Sequence, residues 1–306
     1  MSKQNKEPLL HITKRKELPL AKTWAIRIGA IIAALIVCAI VTTAMTGLDP
    51  FSVFGTIFYG AVGTERKMWI LLKELALLLS VALALTPAFK MKFWNLGGEG
   101  QILMGAWATA LCMIYMGDTI PSGLLILICL AAAVLSGAIW AMIPAFFKAK
   151  WNTNETLFTL MMNYVAIQLV AYFVMIWEVP KGSGKVGIIN QASMSGWLPY
   201  IGTNSYLFVI IFVALITAGM YMYLKYSKHG YEIAVVGESQ RTASYVGIKV
   251  DRVIIRTLLL SGAICGFTGW MIVSGVDHTI TTTLAGGRGF LGIMVSWLAQ
   301  FNVVAM

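Results

Sequence analysis

Long runs of apolar residues, separated by short polar segments, make up most of the chain. Most of these runs are close to the ~20 residues that an α-helix needs to cross the hydrocarbon core of a bilayer. They lack the apolar/polar alternation that is typical of membrane barrel strands. The pattern predicts an all-α, polytopic transmembrane helical bundle with about eight spans, at 24–46, 69–88, 98–116, 121–146, 157–177, 205–224, 257–274 and 287–305. Because the last run lacks a basic flank, we expect the sequence to be truncated at its C-terminus.

The composition excludes several classes of protein. Of the 306 residues, 58% are hydrophobic and only 12% are charged, which is too apolar for a soluble protein of this length. The net charge of +10 does not indicate nucleic-acid binding, because the basic residues are spread over several short segments. The cysteines lie in apolar runs without metal-ligand spacing, and there is no phosphate-binding GxxxxGK[ST] segment. We therefore expect a non-enzymatic chain without a metal or cofactor of its own.

The distribution of Lys and Arg predicts the orientation in the membrane. With the N-terminus in the cytoplasm, 17 of the 23 Lys and Arg residues lie in cytoplasmic segments. This asymmetry agrees with the positive-inside rule. The predicted organisation is a basic cytoplasmic tail (1–23) and one transmembrane domain (24–306), which contains a long cytoplasmic loop (225–256).

A glycine-rich polar stretch, FWNLGGEGQILMGAW, separates two of the predicted spans. Its side chains Asn95, Glu99 and Gln101 either hydrogen-bond across helices or contact a solute at a gate near the cytoplasmic side. Glycines in this stretch and in a later GxxxG pattern are predicted to allow close helix packing. They are Gly97, Gly100, Gly105, Gly262 and Gly266.

Polar residues also lie at the start of the fifth predicted span. Asn154 and Glu155 are candidates for the substrate pathway or a gate. Alternatively, Asn154 caps a helix and Glu155 lies in its first turn, where the helix dipole favours a carboxylate. Asn163 lies about two turns further into an apolar helix, so its amide needs a hydrogen-bonding partner. That partner is either another helix or a solute.

Charged residues occur in two further places. Lys73 and Glu74 lie near the outer end of the second predicted span, where Glu74 is a candidate for the solute pathway. After the seventh span, Asp277, His278 and Arg288 belong either to a re-entrant element, to an outer gate or to a plain outer loop.

The long cytoplasmic loop has helical spacing of small and apolar residues between Tyr231 and Val246. An interruption at Gly237 and a left-handed end at Gly247 predict a short helix–turn–helix. The loop is either a solvated connection or a docking element for a cytoplasmic partner.

Four segments together resemble one known family. The segment G-E-S-x-x-T-A-x-Y-x-G-I resembles the loop of ABC importer permeases that inserts into the ATPase subunit, with matches at Gly237, Glu238, Ala243, Tyr245 and Gly247. The polar stretch, residues 151–164 and the segment GGRGFLGI (286–293) resemble the simple-sugar and nucleoside branch of these permeases. The resemblance covers nearly all of the chain from residue 70 onwards.

This resemblance implies a permease subunit that translocates nucleosides or simple sugars across a bacterial plasma membrane. It further implies a cytoplasmic ATPase that holds the ATP, a second permease chain, an extracytoplasmic substrate-binding protein or lipoprotein, and a family total near ten spans. Three alternatives stay open at this point. They are a branched-chain amino-acid permease of the same type, an ion-coupled secondary transporter, and a membrane scaffold or receptor subunit without transport activity.

Overall fold

The computed structural model describes residues 19–199 and 206–306, and most of the predicted N-terminal tail (1–18) lies outside the described residues. The chain divides into two compact units between Lys67 and Met68. The first unit contains helices α1 (Leu20–Thr46) and α2 (Pro50–Val62). Helix α2 was not predicted from the sequence; Asp49 caps its first turn by accepting a hydrogen bond from Ser52 N, and Pro50 occupies its first position.

The second unit is helical in every regular element that the structure describes. Helix α3 begins shortly before the boundary between the units, and a π-helical turn (Val273–Asp277) follows α10. The helices are α3 (Glu65–Lys90), α4 (Gly98–Met116), α5 (Ser122–Trp151), α6 (Glu155–Trp177), α7 (Leu207–Tyr226), α8 (Lys228–Glu238), α9 (Gln240–Tyr245), α10 (Val250–Ile272) and α11 (Arg288–Leu298).

Six helices of the described chain are long and apolar enough to cross a membrane, against the eight predicted spans. The run 98–116 forms the 19-residue helix α4, whose first turn carries the polar residues Glu99 and Gln101. The run 287–305 forms only the 11-residue helix α11, followed by turns. The predicted class of fold is therefore confirmed: the described chain has six long apolar helices, together with α4 and shorter apolar helices.

The core of the second unit forms where α4, α5 and α10 pack closely through glycines. A Cβ atom at Gly105 would meet the backbone of Gly266, and one at Gly262 would meet the carbonyl oxygen of Gly137. Such approach of backbones is what small residues permit in membrane helices. Gly105, Gly262 and Gly266 thus lie where the backbones of these helices meet.

Residues 278–287 form a re-entrant segment, by which we mean a stretch that returns into the bundle. Ser274, near the end of α10, lies beside Met113 at the C-terminal end of α4. Gly287 and Gly289 contact Glu99 at the opposite end of α4. At 1.5 Å per residue the chain therefore returns about 20 Å along α4. Of the alternatives for this region, the structure favours the re-entrant element.

Candidate functional site

Residues 95–101, which end the connection between α3 and α4 and form the first turn of α4, make a largely buried polar junction. Asn95 is fully buried, and its amide nitrogen donates to the Ser261 hydroxyl oxygen of α10 at 3.3 Å. Its amide oxygen accepts from Gly97 N at 3.0 Å and from the Gln101 side-chain nitrogen at 3.3 Å. The Asn95 side chain thus ties the start of α4 to α10 and satisfies a backbone donor that no helix bond would satisfy.

Helix α6 packs against the polar junction and forms further hydrogen bonds with it. The Asn163 amide oxygen accepts from Gly100 N, and its nitrogen donates to Leu96 O, both at 2.8 Å. One turn earlier, Thr159 Oγ1 accepts from Leu96 N at 3.0 Å. Asn163 therefore has the interhelical partner that its position required, and both sides of its amide are used.

Glu99 joins the polar junction to the re-entrant segment. Its two carboxylate oxygens accept hydrogen bonds from Gly287 N at 2.6 Å and from Gly289 N at 2.7 Å. These donors lie at the beginning of α11, where backbone N–H groups lack helical partners and the dipole favours negative charge. A carboxylate on α4 therefore caps α11, a helix nearly 190 residues later in the chain.

Two glycines of the junction leave little room for a side chain. A Cβ atom at Gly97 would lie 3.1 Å from the Asn95 amide oxygen, and one at Gly100 would lie 2.9 Å from the Asn163 amide oxygen. The absence of a side chain at these glycines therefore lets the backbone lie close to the Asn95 and Asn163 amides, as the hydrogen-bond network requires.

Asn154 and Glu155 do not belong to the network of the polar junction. The Asn154 side chain accepts from Leu157 N at 3.2 Å and caps α6, as predicted. Glu155 forms an ion pair with Lys148 of α5 at 2.8 Å. The structure gives both residues local roles at the start of α6.

The predicted cytoplasmic helix–turn–helix is present as a short helix pair, α8 and α9. The break between the helices lies at Ser239 rather than at Gly237, because the Ser239 side chain caps α9. Gly237 lies within α8, where a Cβ atom would meet the carbonyl oxygen of Lys90 at the end of α3. Gly247 ends the pair in the expected left-handed conformation, with φ +84°.

The residues that match the docking motif divide between two faces of the short helix pair. Ala243 is fully buried, and Gly237 is also buried against α3. Tyr245 is 92% exposed, and Glu238 is exposed as well. A partner that approaches from solvent therefore meets Tyr245 and Glu238, while Gly237 and Ala243 hold the pair against the bundle.

An ion pair fixes α8 to α10. The Arg256 guanidinium donates to a Glu232 carboxylate oxygen at 2.8 Å. This hydrogen bond holds the pKa of the Glu232 carboxyl below its usual range. A charged contact therefore joins α8 to α10 in addition to their packing.

Sequence reasoning missed two members of the polar junction, Thr159 and Ser261. Thr159 lies four residues before Asn163, so the two share one face of α6, and this spacing was available as a signal. Ser261 directly precedes Gly262 of the GxxxG pattern, and no local signal connects it with Asn95. Among the described residues, no group of three or more His, Cys, Asp or Glu side chains is placed to hold a metal ion.

Comparison with known proteins gives one family and several relatives. The family model described as branched-chain amino acid transport system / permease component matches residues 68–305. The guanosine ABC transporter permease of Bacillus subtilis is 29% identical, covering 96% of this chain and 83% of that protein. The glucose ABC transporter permease of Haloferax volcanii is 26% identical, covering 96% and 80%. A nucleoside ABC transporter permease of Lactococcus lactis is 25% identical, covering 94% and 78%. No solved structure matches.

Proposed function

Because this chain belongs to the family of permease components that includes those of branched-chain amino acid transport systems, we propose that it is the membrane-spanning permease subunit of an ABC importer. The family match carries this proposal, since it begins at residue 68, where the second compact unit also begins, and extends through α11. The chain is a multi-pass protein of the cell membrane, with six apolar helices of spanning length in its described part.

The proposed solutes are nucleosides or simple sugars. The relatives described above are named as permeases for guanosine, nucleosides and glucose. All three relatives are similar to this chain over at least 94% of its length. Branched-chain amino acids are the second candidate, because the family description names them.

A separate ATPase chain is proposed to dock on the short helix pair. The exposed Tyr245 ring at the end of α9 offers the large apolar surface that contact residues of protein interfaces commonly provide. Gly237 and Ala243, on the buried face of the pair, pack against α3 and the rest of the bundle. By family membership, a second permease chain and an extracytoplasmic binding protein or lipoprotein complete the importer.

A physical route connects this docking surface with the polar junction. Gly237 packs on the carbonyl of Lys90 at the end of α3, and the chain reaches Asn95 five residues later. The junction holds the beginning of α4, and Glu99 holds the beginning of α11. Displacement of the short helix pair by an ATPase would therefore shift α3 and α4, and with them the re-entrant segment. The network around residues 95–101 acts in this proposal as the gating element.

The proposal is tested by uptake of labelled guanosine and glucose into cells that express the complete importer. ATP depletion should abolish uptake, whereas a protonophore applied with ATP maintained should leave uptake unchanged.

Replacement Tyr245→Ala should abolish energised uptake while the protein still inserts normally into the membrane. Tyr172→Ala, at a 61% exposed tyrosine of α6 away from the pair, is the matched control. Uptake that follows the proton gradient, or that tolerates Tyr245→Ala, would contradict the proposal.

A further inference from the structure

An ion cluster of Lys73, Glu74 and Arg288 lies inside the bundle where α3 meets the beginning of α11. The Glu74 carboxylate pairs with Lys73 Nζ at 2.8 Å and with Arg288 Nη2 at 2.6 Å. The two cations are largely buried, with side chains only 10% and 18% exposed, whereas the Glu74 side chain is 42% exposed. The anion is thus the part of the cluster that faces outward from this chain.

The cations are held in place by contacts of their own. The Arg288 guanidinium donates to the carbonyl oxygens of Leu284 at 3.1 Å and Ala285 at 3.4 Å, within the re-entrant segment. Lys73 Nζ lies 5.3 Å from the centre of the Tyr206 ring, a cation–π contact. These contacts fix both cations, and the cations in turn fix the orientation of the Glu74 carboxylate.

The position of Glu74 restricts what it faces. It lies about 13 Å along α3 from the first residue of that helix, well within a segment of spanning length. A half-exposed carboxylate at this depth is strongly disfavoured against hydrocarbon, so such groups face a water-filled cavity or another protein chain. Leu75, the next residue, is 53% exposed and points about 100° away around the helix, as expected for a lipid-facing side chain.

We propose that Glu74 lies on the translocation pathway and is a solute-recognition residue there, accepting hydrogen bonds from hydroxyl or N–H groups of an uncharged polar solute. The inference deepens the proposed function and rests on it. A carboxylate only accepts hydrogen bonds, and each of its oxygens keeps capacity beyond the one cation it already contacts. Asp277, within electrostatic range of all three residues, brings the formal charge of the group to zero. A zero net charge gives the group no overall preference for a cationic or an anionic solute, which agrees with an uncharged solute such as a nucleoside or a sugar.

Cysteine labelling tests whether Glu74 faces water. Single replacements Glu74→Cys and Leu75→Cys are compared in membranes of cells that express the full importer, using a membrane-impermeant anionic methanethiosulfonate, because Lys73 and Arg288 beside position 74 would repel a cationic reagent. Cysteine at position 74 should react at least about tenfold faster than cysteine at 75, because a charged reagent reaches a water-lined site and not a lipid-facing one. The labelling rate of the unmodified chain gives the background that comes from its native cysteines. Equal, slow reaction at both positions would overturn the proposal and place Glu74 against lipid or a second copy.

Solute protection tests recognition and distinguishes the solutes. Leu78→Cys keeps the ion cluster intact and lies one turn further on the same face of α3, so the protection experiment uses this variant. Guanosine or glucose at saturating concentration should slow the labelling of position 78, and leucine, a zwitterion, should not. Absence of protection by guanosine and by glucose, or protection by leucine, would overturn the proposal. Labelling needs no ATP, so its outcome is independent of the uptake experiment that tests the importer itself.

Discussion

At the scale of single residues, Glu99 shows how one side chain connects two distant parts of the sequence. It belongs to a glycine-rich motif and yet acts on the backbone of a second glycine-rich motif, at Gly287 and Gly289. The motif residues Asn95, Glu99 and Asn163 each satisfy backbone groups where the helices are interrupted. In a bilayer such groups have no water as an alternative, so the polar side chains are a structural requirement of the broken helices.

Glu99→Gln tests the cap on α11. Glutamine keeps the shape but removes the charge and one of the two acceptors, so the beginning of α11 loses roughly 2 kcal/mol of stabilisation. We expect a lower melting temperature of the purified protein and reduced uptake. Asp118→Asn, at an exposed carboxylate in the turn after α4, should leave both unchanged. An unaltered melting temperature for Glu99→Gln would show that the cap does not stabilise the fold.

Glu232→Gln tests the ion pair between α8 and α10, and its effect should depend on pH. The pKa of Glu232 is lowered in the folded protein by the hydrogen bond from Arg256. The ion pair therefore contributes stability above the unfolded pKa, and this contribution is lost as pH falls through the lower, folded pKa. We expect Glu232→Gln to reduce stability by up to about 1 kcal/mol at pH 7 and to have a smaller effect at pH 3. An equal effect at both pH values would contradict the ionic origin.

At the scale of elements, close packing of α4, α5 and α10 forms the rigid part of the molecule, and the short helix pair attaches to it. The contact glycines of α4, α5 and α10 lie opposite one another. The helix backbones can therefore approach closely, whereas a side chain at these positions would keep them apart. The pair α8–α9 packs on the bundle through buried residues and exposes Tyr245 on its opposite face. The element therefore has one face for the bundle and one for a partner.

Gly105→Ala tests the close packing, with Gly219→Ala as its matched control. A Cβ atom at Gly105 would collide with the backbone of Gly266, whereas one at Gly219 in α7 would meet nothing within 4 Å. We expect Gly105→Ala to destabilise the protein by about 1–3 kcal/mol through overpacking. Gly219→Ala should be neutral or stabilising by up to about 1 kcal/mol, because alanine favours helices. Thermal unfolding in detergent measures both, and equal melting temperatures would contradict the packing.

At the scale of the whole molecule, the predicted orientation depends on the Lys and Arg asymmetry between loops. It places the short helix pair in the cytoplasm, and it places the connection between α6 and α7 outside. The proposed ATPase contact requires this orientation. The location of the N-terminus remains a prediction, and so does the assignment of one transmembrane domain to residues 24–306.

Two conservative replacements test the orientation. Ser183→Cys lies on the exposed connection after α6, and Ser244→Cys lies on the exposed face of α9. A membrane-impermeant thiol reagent should label position 183 in intact cells, and position 244 only after the cells are permeabilised. Labelling in the reverse order would invert the orientation and remove the basis for an ATPase on α8–α9.

The sequence by itself determined the class of fold, most of the spans, the cap at Asn154 and the left-handed end at Gly247. These features follow from local properties, namely the hydropathy of a run and the conformational preference of single residues. Only the tertiary structure decided that Glu99 caps α11, that Asn95 reaches Ser261 and that Glu74 pairs with Arg288. These contacts join residues more than 160 positions apart, and no periodicity or propensity carries such information. The physical reason is that in lipid each polar group must find a partner inside the protein, and only the packed bundle determines which partner is near.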